Sequence, residues 1–203
     1  MTDTTTPSTT SPQSWILQLR ARLDSPPPKR LPASDERKAA VLVPLYVDAN
    51  ELWVVLTKRA ETLDKHRGQY AFPGGAIELG ESEWEAAVRE TEEELGIERA
   101  KPLRLGELDE QTTPTGFRIV PCVAAVPYPL ETELNEGEIA EVFSAPLLAF
   151  ANPKLVEDRA VEVDGVSRML RIYHVGNRQV WGLTARILQN LLERLGLDMP
   201  GVE

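Results

Sequence analysis

Cysteine is almost absent from this chain: Cys122 is the only one in 203 residues, so no disulfide can close within it. That agrees with a reducing, cytoplasmic setting. No apolar run is long enough to span a bilayer. The first residues lack a basic region followed by an apolar core, so no secretory signal is expected there. Basic residues are the minority, 22 Lys and Arg against 32 Asp and Glu, for a net charge of −10. That balance argues against nucleic acid or an anionic membrane as partner. It leaves room for an anionic small molecule, because a bound metal and a few local Arg and Lys side chains can dominate one site. No internal repeat is present. What is there, 42% hydrophobic and 27% charged residues, suits one globular domain with short extensions.

Residues 1–13 are mostly Thr, Ser and Pro and read as a disordered tail. Residues 14–34 read as a short helix and a Pro-rich linker. Ser14 is placed to cap that helix, Ile16, Leu19 and Leu23 form its apolar stripe, and it ends before Pro26-Pro27-Pro28. The main domain is expected over 35–198. Ala39 to Val47 is apolar and β-branched, with Pro44 predicting a bulge or an edge position. Asp48-Ala49-Asn50 turns the chain back into a strand from Leu52 to Lys58. Further strands are predicted over Pro102–Thr112 and Phe117–Val126, joined at Thr115-Gly116, with Pro121 again suggesting a bulge or an edge. Cys122, among apolar neighbours, reads as a small buried hydrophobe. A late strand follows over Arg168–Val175, and Trp181 opens a last helix that Gly196 ends. Its apolar face is Leu183, Ile187, Leu188, Leu191, Leu192 and Leu195. The order of elements implies a mixed sheet with helices on its faces.

The most informative stretch runs from Gly75 to Ile97. Ser82 and Glu85 make a capping-box pair, and Gly96 suits the left-handed stop. Between them Trp84, Ala87, Val88, Thr91 and Leu95 share one packing face. At about 100° per residue, Glu90, Glu93 and Glu94 crowd together outside it. Like charges at this spacing repel, and a divalent cation reverses the penalty, because Mg²⁺ and Mn²⁺ prefer carboxylate oxygens. The competing interpretation is a solvated acidic face. Arg89 lies four residues before Glu93 and can orient it by an ion pair. Upstream, Lys58, Arg59, Lys65, His66 and Arg67 form a basic loop suited to phosphate groups, or simply balancing nearby acids. It leads to Gly74 and Gly75, which let the backbone turn tightly.

Gly75, Glu81, Arg89, Glu90, Glu93, Glu94, Gly96 and Ile97 together resemble the Nudix box, G-x5-E-x7-R-E-U-x-E-E-x-G-U, with Thr91 where an aliphatic is preferred. The resemblance implies an α/β fold of the Nudix type, an α/β/α sandwich with a mixed β-sheet flanked by helices. It implies a Mg²⁺ or Mn²⁺ cofactor held by Glu90, Glu93 and Glu94, with Glu81 in support. A catalytic base is implied as well, Glu93 from the helix or Glu138 from the acidic segment Glu136–Val142, with Glu141 as the other candidate there. Leu56-Thr57-Lys58-Arg59-Ala60 followed by Gly68 and Phe72-Pro73-Gly74-Gly75 is similar to the signature of the coenzyme A pyrophosphatase branch. Val55 stands for its first leucine and Asp64 for its second arginine. Trp181-Gly182-Leu183-Thr184 also looks like that branch's closing helix. Arg59, Arg67, Gly74 and Gly75 are then the expected substrate-binding positions. The implied reaction cleaves the diphosphate of coenzyme A or its thioesters. ADP-ribose, a dinucleotide or a nucleoside triphosphate is the alternative substrate, and a non-catalytic binding module is the alternative from another class.

Overall fold

The computed structural model describes residues 12–33, 36–61, 68–163 and 165–197. The expected tail therefore lies outside the described residues up to residue 11. The chain forms α1 (Pro12–Asp24), β1 (Arg37–Asp48), β2 (Glu51–Arg59), β3 (Tyr70–Ala71), β4 (Gly74–Ala76) and α2 (Glu83–Leu95). Then come β5 (Leu103–Glu107), β6 (Gln111–Thr112), β7 (Phe117–Ala125), β8 (Ile139–Pro146), β9 (Val156–Val163), β10 (Val166–Val175), β11 (Arg178–Trp181) and α3 (Gly182–Leu195).

Strand alternation sorts side chains onto two faces. On β1, Ala40 and Leu42 point to one side and meet Ala86, Ala87 and Val88 of α2, with Val120, Cys122 and Ala124 of β7. Val43 and Leu45 point to the other side, where Leu19 and Leu23 of α1 and Ile187, Leu188, Leu191, Leu192 and Leu195 of α3 complete the larger core. The main sheet runs β3-β2-β1-β7-β5, with β4 added to β1, β6 to β7 and β8 to β2. β1 and β7 are parallel and the other pairs antiparallel. This is the mixed sheet between helices that the sequence implies. Cys122 is fully buried, and burial pushes its thiol up to about 12, in keeping with an inert core residue.

Several local expectations need correction. Pro44 and Pro121 lie inside the two central strands, not at an edge or a bulge. On one side β1 pairs with β2 as far as Leu45↔Val54 and with β4 from Val41↔Gly74, so Pro44 falls between partners. Likewise Pro121 falls between Cys122↔Glu107 on β5 and Ile119↔Gln111 on β6. A missing amide costs least where one neighbouring ladder is interrupted. The strand expected over Pro102–Thr112 breaks after Leu108, whose amide still reaches Pro121 of β7, because the Asp109 and Glu110 amides bond elsewhere, to the Asn190 side chain and the Lys29 carbonyl. Ser14 does not precede α1. The helix already runs from Pro12, and Gln18 donates to the Ser14 hydroxyl at 3.1 Å. A second sheet, β11-β10-β9, contains the expected late strand and was otherwise missed. Trp181 ends β11, immediately before α3, and is 41% exposed.

α1 is built into the core. Leu23 is 1% exposed and docks over Gly106, where a β-carbon would lie 2.8 Å from that of Leu23. The segment after α1 is strapped down by Asp109, which accepts from the Lys29 amide at 2.9 Å and the Arg194 guanidinium at 2.6 Å. Burial alone pushes the Asp109 carboxyl up, but these bonds and charges outweigh it and hold it below the usual carboxylate range.

Leu23→Ala should cost about 2–5 kcal/mol of stability, read from urea midpoints at constant slope. Asp109→Asn should destabilise the protein at pH 6. The depressed carboxyl gives its stabilisation above its unfolded value and loses it as pH falls through the folded one. The gap between the two proteins should therefore narrow below about pH 4, which unfolding curves at pH 6 and pH 3 would show.

Candidate metal and diphosphate site

The glutamate helix α2 is fixed at both ends. The Ser82 hydroxyl accepts from the Glu85 amide at 3.3 Å, and the Glu85 carboxylate accepts from the Ser82 amide at 2.8 Å. Gly96 stops the helix in the left-handed conformation, φ 70°. With its ends set, the rotation of every side chain on it is set too.

Arg89, 9% exposed, holds the carboxylates together. Its Nε donates to Glu81 at 2.8 Å and Nη2 to the other Glu81 oxygen at 3.1 Å. Nη1 reaches Glu90 at 2.8 Å and Glu93 at 3.3 Å, and Nη2 also reaches the Ala76 carbonyl on β4 at 3.0 Å. Hydrogen bonds to Glu81, then Glu90, raise the Arg89 guanidinium well above its ordinary value. The same bond holds the Glu81 carboxyl below its ordinary range.

Glu94 falls at the border of the packing face and is buried, 3% exposed, unlike the solvated position its charge suggests. Burial is the main reason its carboxyl is pushed up to about 8; Glu90 and Glu138 add to the rise, and Arg59 and the Gly74 amide oppose it. Glu90 is raised for the same first reason, burial, with Arg89 opposing. Gly75 of β4 is what admits Glu90, since a β-carbon there would overlap its carboxylate. Gly74, at φ 152°, lets β4 lie against Ala40 and Val41.

The structure thus brings together Arg59, Gly74, Gly75, Glu81, Arg89, Glu90, Glu93, Glu94 and Glu138. Glu93 has a half-exposed side chain, with Arg99 3.9 Å away. Glu141 is engaged elsewhere, with Arg178 at 2.9 Å and the Tyr70 hydroxyl at 3.3 Å. Arg67, with Asp64, Lys65 and His66, lies outside the described residues. Two residues the sequence reading passed over also belong here. Arg99 bonds Glu92 at 2.5 Å, and Asn135 donates to Glu138 at 3.2 Å. The order Asn135-Glu136-Gly137 is a turn signal that points to the second of these.

Among the described residues no three acidic or histidine side chains already surround one point. The donor set nevertheless fits a hard divalent cation. Glu94 Oε2 is buried without a hydrogen-bond partner, and its nearest ionisable neighbours include two more carboxylates. A buried oxygen with no donor is costly, and a cation placed there would satisfy it while cancelling the mutual repulsion.

This combination, a capped helix of glutamates clamped by one arginine on a mixed sheet between helices, defines a domain class. The Nudix domain model matches residues 36–163. Over 171 residues the chain is 34% identical to the uncharacterized Nudix hydrolase NudL of Photorhabdus laumondii, covering 84% of this chain and 90% of that one. The corresponding protein of Pectobacterium atrosepticum is 37% identical over 178 residues, covering 86% and 90%. A MutT/nudix family protein from Enterococcus faecalis superposes with a TM-score of 0.55 over 83% of this chain and 65% of that one. At 18% identity, that likeness concerns the fold alone. The chain belongs to the Nudix hydrolase family.

Gly75→Ala should displace Glu90 and weaken Mn²⁺ binding by at least about 10-fold, measured by electron paramagnetic resonance of free Mn²⁺. Unchanged affinity in a folded Gly75→Ala protein would remove Glu90 from the ligand set.

Proposed function

We propose that the protein is a Mg²⁺- or Mn²⁺-dependent diphosphatase acting on coenzyme A or its thioesters. The products are 3′,5′-ADP and 4′-phosphopantetheine or its acyl derivative. The observation that carries the reading is the buried, partnerless oxygen of Glu94 beside Glu90, on the helix that bears the family's box.

Glu90, Glu93 and Glu94 would hold the cation, and the bonds from Arg89 to Glu90 and Glu93 would keep those two side chains in place for it. A bound divalent ion supplies charge neutralisation at the diphosphate and makes an attacking water more acidic. Water adds to one phosphorus, the bridging P–O bond breaks, and each fragment keeps one phosphate. Glu138 takes the water proton, with Glu93 as the alternative. Arg59, whose charge is felt at Glu94, offers a guanidinium to a phosphate oxygen. The coenzyme A assignment is supported by the Leu56 to Gly75 signature that supplies Arg59, Gly74 and Gly75. A small-molecule substrate and a cytoplasmic setting accord with the acidic net charge of −10 and the single cysteine.

The test is product analysis by chromatography. The protein is offered coenzyme A, acetyl-coenzyme A, ADP-ribose, NADH and dATP at equal concentration, with Mg²⁺ and then Mn²⁺. The expected result is 3′,5′-ADP released fastest from the coenzyme A pair. Faster turnover of ADP-ribose or NADH would overturn the substrate while leaving the chemistry. Glu94→Gln should lower kcat/KM by at least about 100-fold on every substrate. A Glu94→Gln protein as fast as the unaltered one would overturn the role of the helix itself.

A further inference from the structure

We propose that Asn135 is a positioning residue that sets Glu138 against the glutamate helix. The inference rests on Glu138 serving the diphosphate reaction proposed above.

The loop between β7 and β8 is strapped to the last turn of α2. The Glu133 amide donates to the Leu95 carbonyl at 2.8 Å, and the Asn135 amide donates to the Glu94 carbonyl at 3.1 Å. Gly96 makes room for the strap, since a β-carbon there would lie 2.9 Å from that of Glu133. Asn135 therefore hangs directly from the residue that carries the partnerless buried oxygen.

From that anchor Asn135 shapes the turn that follows. Its carbonyl accepts from the Glu138 amide at 2.9 Å and the Ile139 amide at 2.8 Å. Its side-chain oxygen accepts from the Gly137 amide at 3.2 Å, closing an Asx turn. That leaves the side-chain nitrogen, which donates to Glu138 Oε1 at 3.2 Å. The far end of Glu138 is held as well: its carbonyl accepts from the Ala60 amide at 2.8 Å, next to Arg59. So Glu138 is pinned between the glutamate helix and the strand end that carries Arg59, with its charge felt at both Glu90 and Glu94.

The residue type matters. Asparagine offers an acceptor for its own turn and a donor for the carboxylate; aspartate offers acceptors only. Asn135→Asp therefore keeps the Asx turn and replaces the side-chain donation to the Glu138 carboxylate with a like charge.

Four proteins decide the matter: the unaltered chain, Asn135→Asp, Glu138→Gln and the double variant. Steady-state kinetics with Mg²⁺ and the best substrate are run beside thermal unfolding. Asn135→Asp is expected to lower kcat by about 10–100-fold, with KM and melting midpoint little changed. In the Glu138→Gln background the same substitution is expected to do nothing further, because the group it positions is already gone. An equal loss in both backgrounds, or a loss that tracks a fallen melting midpoint, would make Asn135 a loop-stability residue and overturn the inference. So would full activity in Asn135→Asp when Glu138→Gln is slow. If Glu138→Gln matches the unaltered protein, the role of Glu138 falls, and the inference falls with it by a separate route.

Discussion

The Arg89 guanidinium, bonded to three of five clustered carboxylates, is the constraint on which this site depends. Arg89 binds Glu81, Glu90 and Glu93 directly, while Glu94 and Glu138 stand close enough to raise or be raised by their neighbours. Even with Arg59 felt at Glu94 and Arg99 near Glu93, negative charge is in excess, and burying it is unfavourable in a medium less polar than water. Burial pushes the Glu94 carboxyl up to about 8, with Glu90 and Glu138 adding to the rise, so the set disfavours a further negative charge there. The divalent ion proposed above would offset that charge, and it would need the ionised form. The arginine draws Glu81, Glu90 and Glu93 together and fixes their directions. Arg89 also reaches the Ala76 carbonyl, so the clamp joins the helix to the sheet as well as acid to acid.

That junction exists because the central strand changes partners. β1 leaves β2 after Leu45 and takes β4 from Val41 back to Ala39, with the Leu42 amide bonded to the Pro73 carbonyl at the start. Pro44 lies in the gap. Leu42 and Pro44, two apart on one strand, aim their nitrogens the same way, so the proline's missing donor faces the place where no ladder runs. The same argument applies to Pro121 on β7, whose carbonyl accepts from Leu108 as β5 gives way to β6. These prolines accompany a sheet opened on purpose. The opening on β1 is filled by Gly74 and Gly75, which bring bare backbone up to Glu90 and Glu94.

Much of this was legible in residue order. The capping box, the glycine stop and the i, i+3, i+4 glutamates are local, and local spacing predicts them. The two-faced strands follow from alternation. What stayed hidden depends on contacts between distant segments. The burial of Glu94 comes with a bond from the Gly74 amide on β4, a contact between distant segments, and charge alone placed it in solvent. Glu138 and Glu141 look alike in an acidic run, yet Glu141 is occupied by Arg178, 37 positions later. α1 looked like an appendage because its three apolar residues say nothing of Gly106, over which Leu23 docks. The β9–β10 ribbon was half seen because its strands mix Arg, Glu and aliphatics, with Val166 and Met169 left exposed.

The one departure inside the box itself has a physical account. Thr91 stands at a position that favours an aliphatic and is fully buried against the sheet. A buried hydroxyl without a partner is costly. Here it donates to the Ala87 carbonyl one turn back at 2.7 Å, so its polarity is spent inside its own helix. With its hydroxyl bonded within the helix, Thr91 offers a β-branched shape close to that of valine, which suits a fully buried position. The substitution changes no group that faces Glu90, Glu93 or Glu94. An altered letter in a motif matters through the surface it presents, and this one presents the surface the motif asks for.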